Sequence, residues 1–286
     1  MPAYRGSDRT PLYYDDVCRD TQARTAPLIA LAGGAARHPS YLGDLGGLGD
    51  RYRLVVPHLR GVGESPMPDS VELASFWRQA EDVERLRIHL GLAQLVLVAH
   101  SAGSRLAISY AARFPVRVAG MVLITPPAGY LVDETLDTEA LIERRRGERA
   151  VEEALAVRDL GRDITDDDAF DAWQRRMAPL AYASWGERER AHAATGRFSV
   201  AAMRAYFSVE PPGDLTDRLA GVAAPVLVIV GGADCVTGIA PSLALARLFP
   251  AGAATVLDRC GHYPWIERPA AFREAVERFL GERVLT

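Results

Sequence analysis

Leu95-Val-Leu-Val-Ala-His-Ser-Ala-Gly-Ser104 decides how this chain reads. Four apolar residues, Leu95 to Val98, run into a tight turn of small residues. An alanine-rich, helix-forming segment from Ala102 to Phe114 follows at once. The order is strand, sharp turn, helix. Ser101 sits at the turn, with Ala99 two residues before it and Gly103 two after it. A serine presented on such a turn has a strained backbone, so its neighbours at both positions must be small. Glycine is usual at both, and Ala99 is the next smallest choice. A chain rich in alanine and glycine also produces this pattern by chance, with Ser101 merely capping a helix. The strand before and the helix after favour a nucleophile.

Working outward, Pro27-Leu-Ile-Ala-Leu-Ala32 reads as a buried strand that ends in Gly33-Gly34. Continuous apolar runs of this length suit parallel strands covered on both faces. The two glycines fit either an oxyanion-hole loop or a plain strand-to-helix turn. Arg53-Leu-Val-Val-Pro57 is the next strand, and a helix is expected from Val71 to Leu90, with Gly91 as its stop. Met121 to Thr125 is a further short strand. Strands alternating with helices argue a parallel sheet wound by helices, an α/β fold.

The pattern changes after residue 126. Residues 127–215 hold no convincing buried strand and are rich in charge and helix formers, so they read as an inserted helical cap. Residues 1–126 and 216–286 then form the core. Within the cap, Arg144-Arg-Arg146 and Asp166-Asp-Asp168 read as solvated helix ends and surfaces. The sheet resumes at Pro225 to Val230, followed by Gly231-Gly-Ala-Asp234. Ala254 to Asp258 is the last strand, followed by Arg259-Cys-Gly-His262 and an amphipathic helix carrying Phe272, Val276, Phe279 and Leu280.

Composition sets the broad class. The chain has 286 residues, 49% hydrophobic and 24% charged, which is ordinary for a globular protein and ample for a sizeable core. A net charge of -4 offers no electrostatic case for nucleic acid or an anionic membrane. No apolar stretch approaches the ~18 residues of a membrane span, and the first residues lack the apolar run of a signal peptide. A cytoplasmic protein acting on a small-molecule or short peptide-like substrate is expected, with the oligomeric state left open. Three cysteines, Cys18, Cys235 and Cys260, form no CxxC pair, and their odd count argues against a disulfide framework.

Three residues now fall at the ends of three expected parallel strands: Ser101, Asp234 and His262. That edge of an open α/β sheet is where ligands bind. A serine hydroxyl is a poor nucleophile at neutral pH and needs a histidine to take its proton. The histidine in turn needs a carboxylate to hold its tautomer and stabilise the imidazolium. Asp234 could instead cap a helix, and His262 could be an ordinary loop histidine. The joint occurrence, in the order Ser, Asp, His, is more specific than any one motif. The chemistry needs no metal or organic cofactor, and the chain carries no HExxH.

On these residues the chain resembles the α/β-hydrolase superfamily. Leu31-Ala-Gly-Gly34 stands where that family has its His-Gly loop, with Ala32 in place of histidine. Pro57-His-Leu-Arg-Gly-Val-Gly-Glu-Ser65 looks like its Pro-Asp-x-Arg-Gly-x-Gly-x-Ser loop, with His58 in place of aspartate. Val98-Ala-His-Ser-Ala-Gly103, Gly231-Gly-Ala-Asp234 and Gly261-His262 match its elbow, acid and base motifs. The resemblance implies an oxyanion hole from the backbone N–H groups of Gly34 and Ala102. Within the superfamily the chain is most similar to the proline-iminopeptidase-like serine hydrolases, which read a free amine with cap glutamates. Ser184-Trp-Gly-Glu187 is similar to their Trp-x-x-Trp-Glu motif, and Met203 stands where they place a glutamate ahead of an aromatic pair, here Tyr206-Phe207. The resemblance therefore implies substrate contacts from Glu187, Glu210, Trp185 and Tyr206. Two activities are expected of such a site. One is aminopeptidase-like release of a Pro- or Ala-type aminoacyl group, and the other is hydrolysis of apolar acyl esters. A non-catalytic binding protein of the same fold is a third reading.

Overall fold

The computed structural model describes residues 1–17 and 26–285, so Cys18 lies outside the described residues. Eight strands form one sheet: β1 (Ala3–Arg5), β2 (Pro11–Val17), β3 (Leu28–Leu31), β4 (Leu54–Pro57), β5 (Leu95–His100), β6 (Val118–Ile124), β7 (Val226–Gly231) and β8 (Gly252–Leu257). Their order across the sheet is β1-β2-β4-β3-β5-β6-β7-β8. β1 and β2 are antiparallel, and every pairing from β4 to β8 is parallel. The chain moves outward from β3 to β4 and then crosses back to β5. The crevice at the C-terminal ends of β3 and β5 is therefore the switch point where such sheets bind ligands.

Alternation along the strands builds two cores. Ile29, Leu31, Leu97 and Val228 pack on one face with Val83 and Leu86 of α1 (Ala80–His89) and Leu106 and Tyr110 of α2 (Gly103–Arg113). Leu28, Ala30, Val96, Val98 and Ile229 pack on the other face against the C-terminal helix, with Phe272, Val276, Phe279 and Leu280.

Between β6 and β7 lie six helices: α3 (Thr138–Glu143), α4 (Arg149–Asp159), α5 (Asp167–Met177), α6 (Glu187–Ala193), α7 (Val200–Tyr206) and α8 (Leu215–Leu219). α8 buries Leu215 and Leu219 in the core shared with α2. Beyond β7 come α9 (Ala240–Ala246), α10 (Pro264–Glu267) and α11 (Pro269–Arg283). Among the described residues no helix is long and apolar enough to cross a membrane.

Two local expectations change. The helix expected from Val71 to Leu90 is split into a 3-10 turn, Val71–Ala74, and α1. The break is a tertiary contact: Ser75 is extended, and the Phe76 N–H donates to the Tyr206 carbonyl at 2.9 Å. Arg145 is 6% exposed, not solvated. Its guanidinium donates to the Pro179 and Tyr182 carbonyls and pairs with Glu148, tying α3 to the turn before α6. Asp166 does serve as a helix end, because its side chain accepts the Ala169 N–H and caps α5.

Candidate active site

Ser101 follows the last residue of β5 with φ at 50°, a left-handed backbone that few non-glycine residues adopt. Its N–H donates to the Ile124 carbonyl at 2.8 Å, which fixes the turn against β6. The start of α2 lies directly on the end of β3. A Cβ at Gly103 would stand 2.5 Å from the Leu31 carbonyl oxygen and 2.6 Å from that of Ala32. Backbone oxygens cannot yield, so this position requires glycine.

The neighbouring loop after β3 brings Gly33 and Gly34 to the same crevice. A Cβ at Gly33 would meet the His100 carbonyl oxygen at 2.5 Å and the Ser101 Cβ at 2.9 Å. Gly34 has φ at 72°. Neither the Gly34 nor the Ala102 N–H donates to another group among the described residues. The loop after β4 is a support, not a ligand site. His58 Nδ1 accepts the Glu64 N–H at 3.1 Å and so holds the turn where the family has a carboxylate, while Nε2 donates to Asp15. Arg60 is buried between Asp8 and Asp82.

Asp234 follows β7 and is wholly buried. Oδ1 accepts the N–H groups of Val236 and Thr237, and Oδ2 accepts the Thr237 hydroxyl at 2.6 Å and His262 Nδ1–H at 2.9 Å. Burial works against its charge, but attraction to His262 and these hydrogen bonds outweigh it, so the carboxyl is held below its ordinary value. His262 sits in the loop after β8 and is itself buried. With Nδ1 on Asp234, its Nε2 has no hydrogen bond among the described residues.

Ser101, Gly34 and His262 share a cavity of about 360 Å³. Its walls are largely apolar and come mostly from the segment between β6 and β7: Ile142, Trp173, Met177, Leu180 and Phe198, with Val236 from the loop after β7. The one carboxylate on the described lining, Glu139, is paired with Arg158 at 2.8 Å. Arg37 and Arg162 also line the cavity. Arg37 is 4% exposed and donates to the carbonyls of His192, Ala193, Thr195 and Gly196. It thereby grips the C-terminal end of α6, where a cation suits the helix dipole.

The residues expected from the cap fall elsewhere. Glu187 and Glu210 are exposed, and neither lines the cavity. Trp185 packs on Tyr182 with ring centroids 5.5 Å apart, also off the cavity lining. Tyr206 is 1% exposed and donates its hydroxyl to the Ala102 carbonyl, behind the elbow. Cys235 lies on the cavity wall beside Asp234, and burial pushes its thiol pKa up. Cys260 is fully buried in the core against α11. Sequence reasoning missed Arg37, Tyr41 and His100, whose partners lie far along the chain. Among the described residues no group of three or more His, Cys, Asp or Glu is placed to hold a metal ion.

Known proteins are similar to this chain over most of its length. A pimeloyl-[acyl-carrier protein] methyl ester esterase of Aeromonas hydrophila is 24% identical over 265 residues, covering 89% of this chain and 95% of that protein. The crystal structure of esterase RhEst1 from Rhodococcus superposes with a TM-score of 0.74 at 22% identity, covering 99% of this chain and 98% of that one. A proline iminopeptidase from Mycobacterium smegmatis superposes with a TM-score of 0.72 at 20% identity, over 99% and 98%. Residues 26–269 match the family described as the alpha/beta hydrolase fold, and the chain belongs to that family of hydrolases.

Proposed function

We propose that this hydrolase cleaves carboxylic esters with an apolar acyl or alcohol group, using Ser101 as nucleophile. The observation that carries the reading is the cavity: Ser101 and the Asp234-held His262 open onto walls that are mainly apolar. His262 takes the Ser101 proton as the serine oxygen attacks the ester carbonyl. The Gly34 and Ala102 N–H groups receive the oxyanion, and each such donor is typically worth ~2.7–4 kcal/mol in the transition state. The C–O bond to the alcohol breaks as His262 returns the proton to the leaving oxygen. Water, deprotonated by the same histidine, then attacks the acyl-serine and releases the acid.

Ester and amide hydrolysis both suit such a centre, as the esterase and iminopeptidase relatives illustrate. The lining favours the ester. A free substrate ammonium needs an unpaired carboxylate, whereas Glu139 is engaged by Arg158 and the other charged groups on the described lining are arginines. The test is turnover of short p-nitrophenyl esters beside prolyl and alanyl anilides, with wild type and Ser101→Ala. Ester cleavage lost in the mutant upholds the reading. Anilide cleavage exceeding ester cleavage would replace it with the aminopeptidase-like activity, and ester cleavage that survives the mutation would overturn Ser101 as nucleophile.

A further inference from the structure

The family loop histidine is absent here, since Ala32 occupies its position. Something else must hold the loop that carries Gly34. The Gly33 N–H donates to the Tyr41 hydroxyl oxygen at 2.6 Å. Tyr41 lies in a 3-10 turn, Pro39–Leu42, and is 2% exposed. Its hydroxyl is also 2.8 Å from His100 Nδ1. On the far side of the ring, His100 Nε2 is 3.0 Å from the His262 carbonyl oxygen.

Elementary donor and acceptor rules orient this chain. A carbonyl only accepts, so His100 Nε2 carries a proton. Burial, and then repulsion from His262, hold the His100 pKa well below the ordinary value, so the ring is neutral and Nδ1 is an acceptor. Nδ1 accepts from the Tyr41 hydroxyl, whose oxygen is then left to accept from Gly33. Each donor has one acceptor, and the direction is unique: Gly33 N–H to Tyr41, Tyr41 O–H to His100, His100 N–H to the His262 carbonyl.

We infer that Tyr41 and His100 are positioning residues that hold the oxyanion loop and the His262 loop in register around Ser101. The chain joins three loops, after β3, β5 and β8, alongside the Arg37 guanidinium, which donates to the Tyr263 hydroxyl at 3.1 Å. His100 is the residue next to Ser101, so the link passes directly behind the nucleophile. Packing reinforces it: the His100 ring centroid is 4.8 Å from those of both His262 and Trp265. Backbone N–H donors stabilise an oxyanion only when their geometry is set beforehand. A glycine pair without side chains cannot set its own. Tyr41 supplies that constraint from outside the loop.

The inference rests on the hydrolase reading of Ser101, and the experiment separates the two. Tyr41→Phe removes the hydroxyl and keeps the ring. His100→Gln keeps an N–H for the His262 carbonyl and loses the Nδ1 acceptor, and it carries the same readouts if Tyr41→Phe fails to fold. The measurements are kcat and KM on p-nitrophenyl butyrate, per serine titrated with a fluorophosphonate, and hydrogen exchange at the Gly33 amide. A fall in kcat of tenfold or more, with KM within twofold and faster exchange at Gly33, is expected. The double variant should be no slower than the slower single, because both act through one chain. A kcat per titrated serine within twofold of wild type overturns the inference, as do effects that multiply in the double variant. If wild type cleaves no ester and takes no fluorophosphonate, the proposed function fails. Exchange at Gly33 then decides alone: acceleration by Tyr41→Phe upholds the chain, and unchanged exchange overturns it.

Discussion

Tyr206, at the end of α7, donates its hydroxyl to the backbone carbonyl of Ala102 at 2.7 Å, across 104 residues of sequence. Ala102 follows the candidate nucleophile, and its N–H is one of the two proposed oxyanion donors. The inserted helices therefore reach behind the elbow as well as over the cavity. The same carbonyl also accepts the Arg105 N–H, so losing the tyrosine hydroxyl leaves no orphaned backbone group. Tyr206→Phe should lower stability by about 0.5–1.5 kcal/mol, the net value of one hydrogen bond. Urea unfolding measures this, and an unchanged midpoint would mean the bond adds nothing.

Asp234→Asn should keep the fold and lower kcat by about four orders of magnitude, because the amide presents the wrong partner to His262 Nδ1. Ester hydrolysis and circular dichroism on one preparation check both halves. Activity within tenfold of wild type would remove Asp234 from the mechanism.

Acid should destabilise the protein before ordinary carboxylates titrate. His192 is buried, accepts the Tyr182 hydroxyl at Nδ1 and donates to the Tyr41 carbonyl from Nε2. Burial lowers its pKa from 6.5 to about 4. The unfolded chain therefore binds a proton here as pH falls below the ordinary histidine value, while the folded chain does not until about 4. Stability is lost across that window, by about 3 kcal/mol from this one group. His100, depressed by burial and by His262, acts in the same direction. Asp234, with its carboxyl also depressed, adds a further loss only below the ordinary carboxylate range. Urea midpoints at pH 7 and pH 4.5 test this, and equal stability at the two would contradict the burial of both histidines.

Gly231→Ala should disrupt the molecule far more than Gly129→Ala. A Cβ at Gly231 would stand 2.0 Å from the Gly261 carbonyl oxygen and 2.7 Å from that of Cys260, while at Gly129 it meets nothing within 4 Å. The first change wedges β7 away from the loop that carries His262. The second should stay within about 0.5 kcal/mol of wild type. Thermal unfolding of the pair distinguishes them, and similar melting temperatures would refute the close approach.

Several features were readable because their causes are local. β3, β5 and β7 are continuous apolar runs, as strands buried on both faces must be, and small or polar turn residues mark their ends. Ser101 and Asp234 follow such strands and His262 follows the edge strand β8, so parallel order carries all three to one sheet edge. The segment from Val71 to Leu90 departs from one continuous helix because periodicity does not register a carbonyl arriving from Tyr206. Arg145 looked like part of a solvated run because its two carbonyl partners lie more than thirty residues away.

The sequence by itself determined the alternation of strands and helices and the residue types at each strand end. Short-range sterics and hydrophobic periodicity act within a few positions of the chain, so they are written into it directly. Only the tertiary structure decided which residues between β6 and β7 line the cavity. It turned Tyr206 away from substrate and toward Ala102, and it left Glu187 and Glu210 in solvent. It also gave Tyr41 the support that Ala32 lacks. Those outcomes depend on hydrogen bonds between groups far apart in sequence, and a donor's partner is fixed only once packing has brought an acceptor within about 3 Å of it.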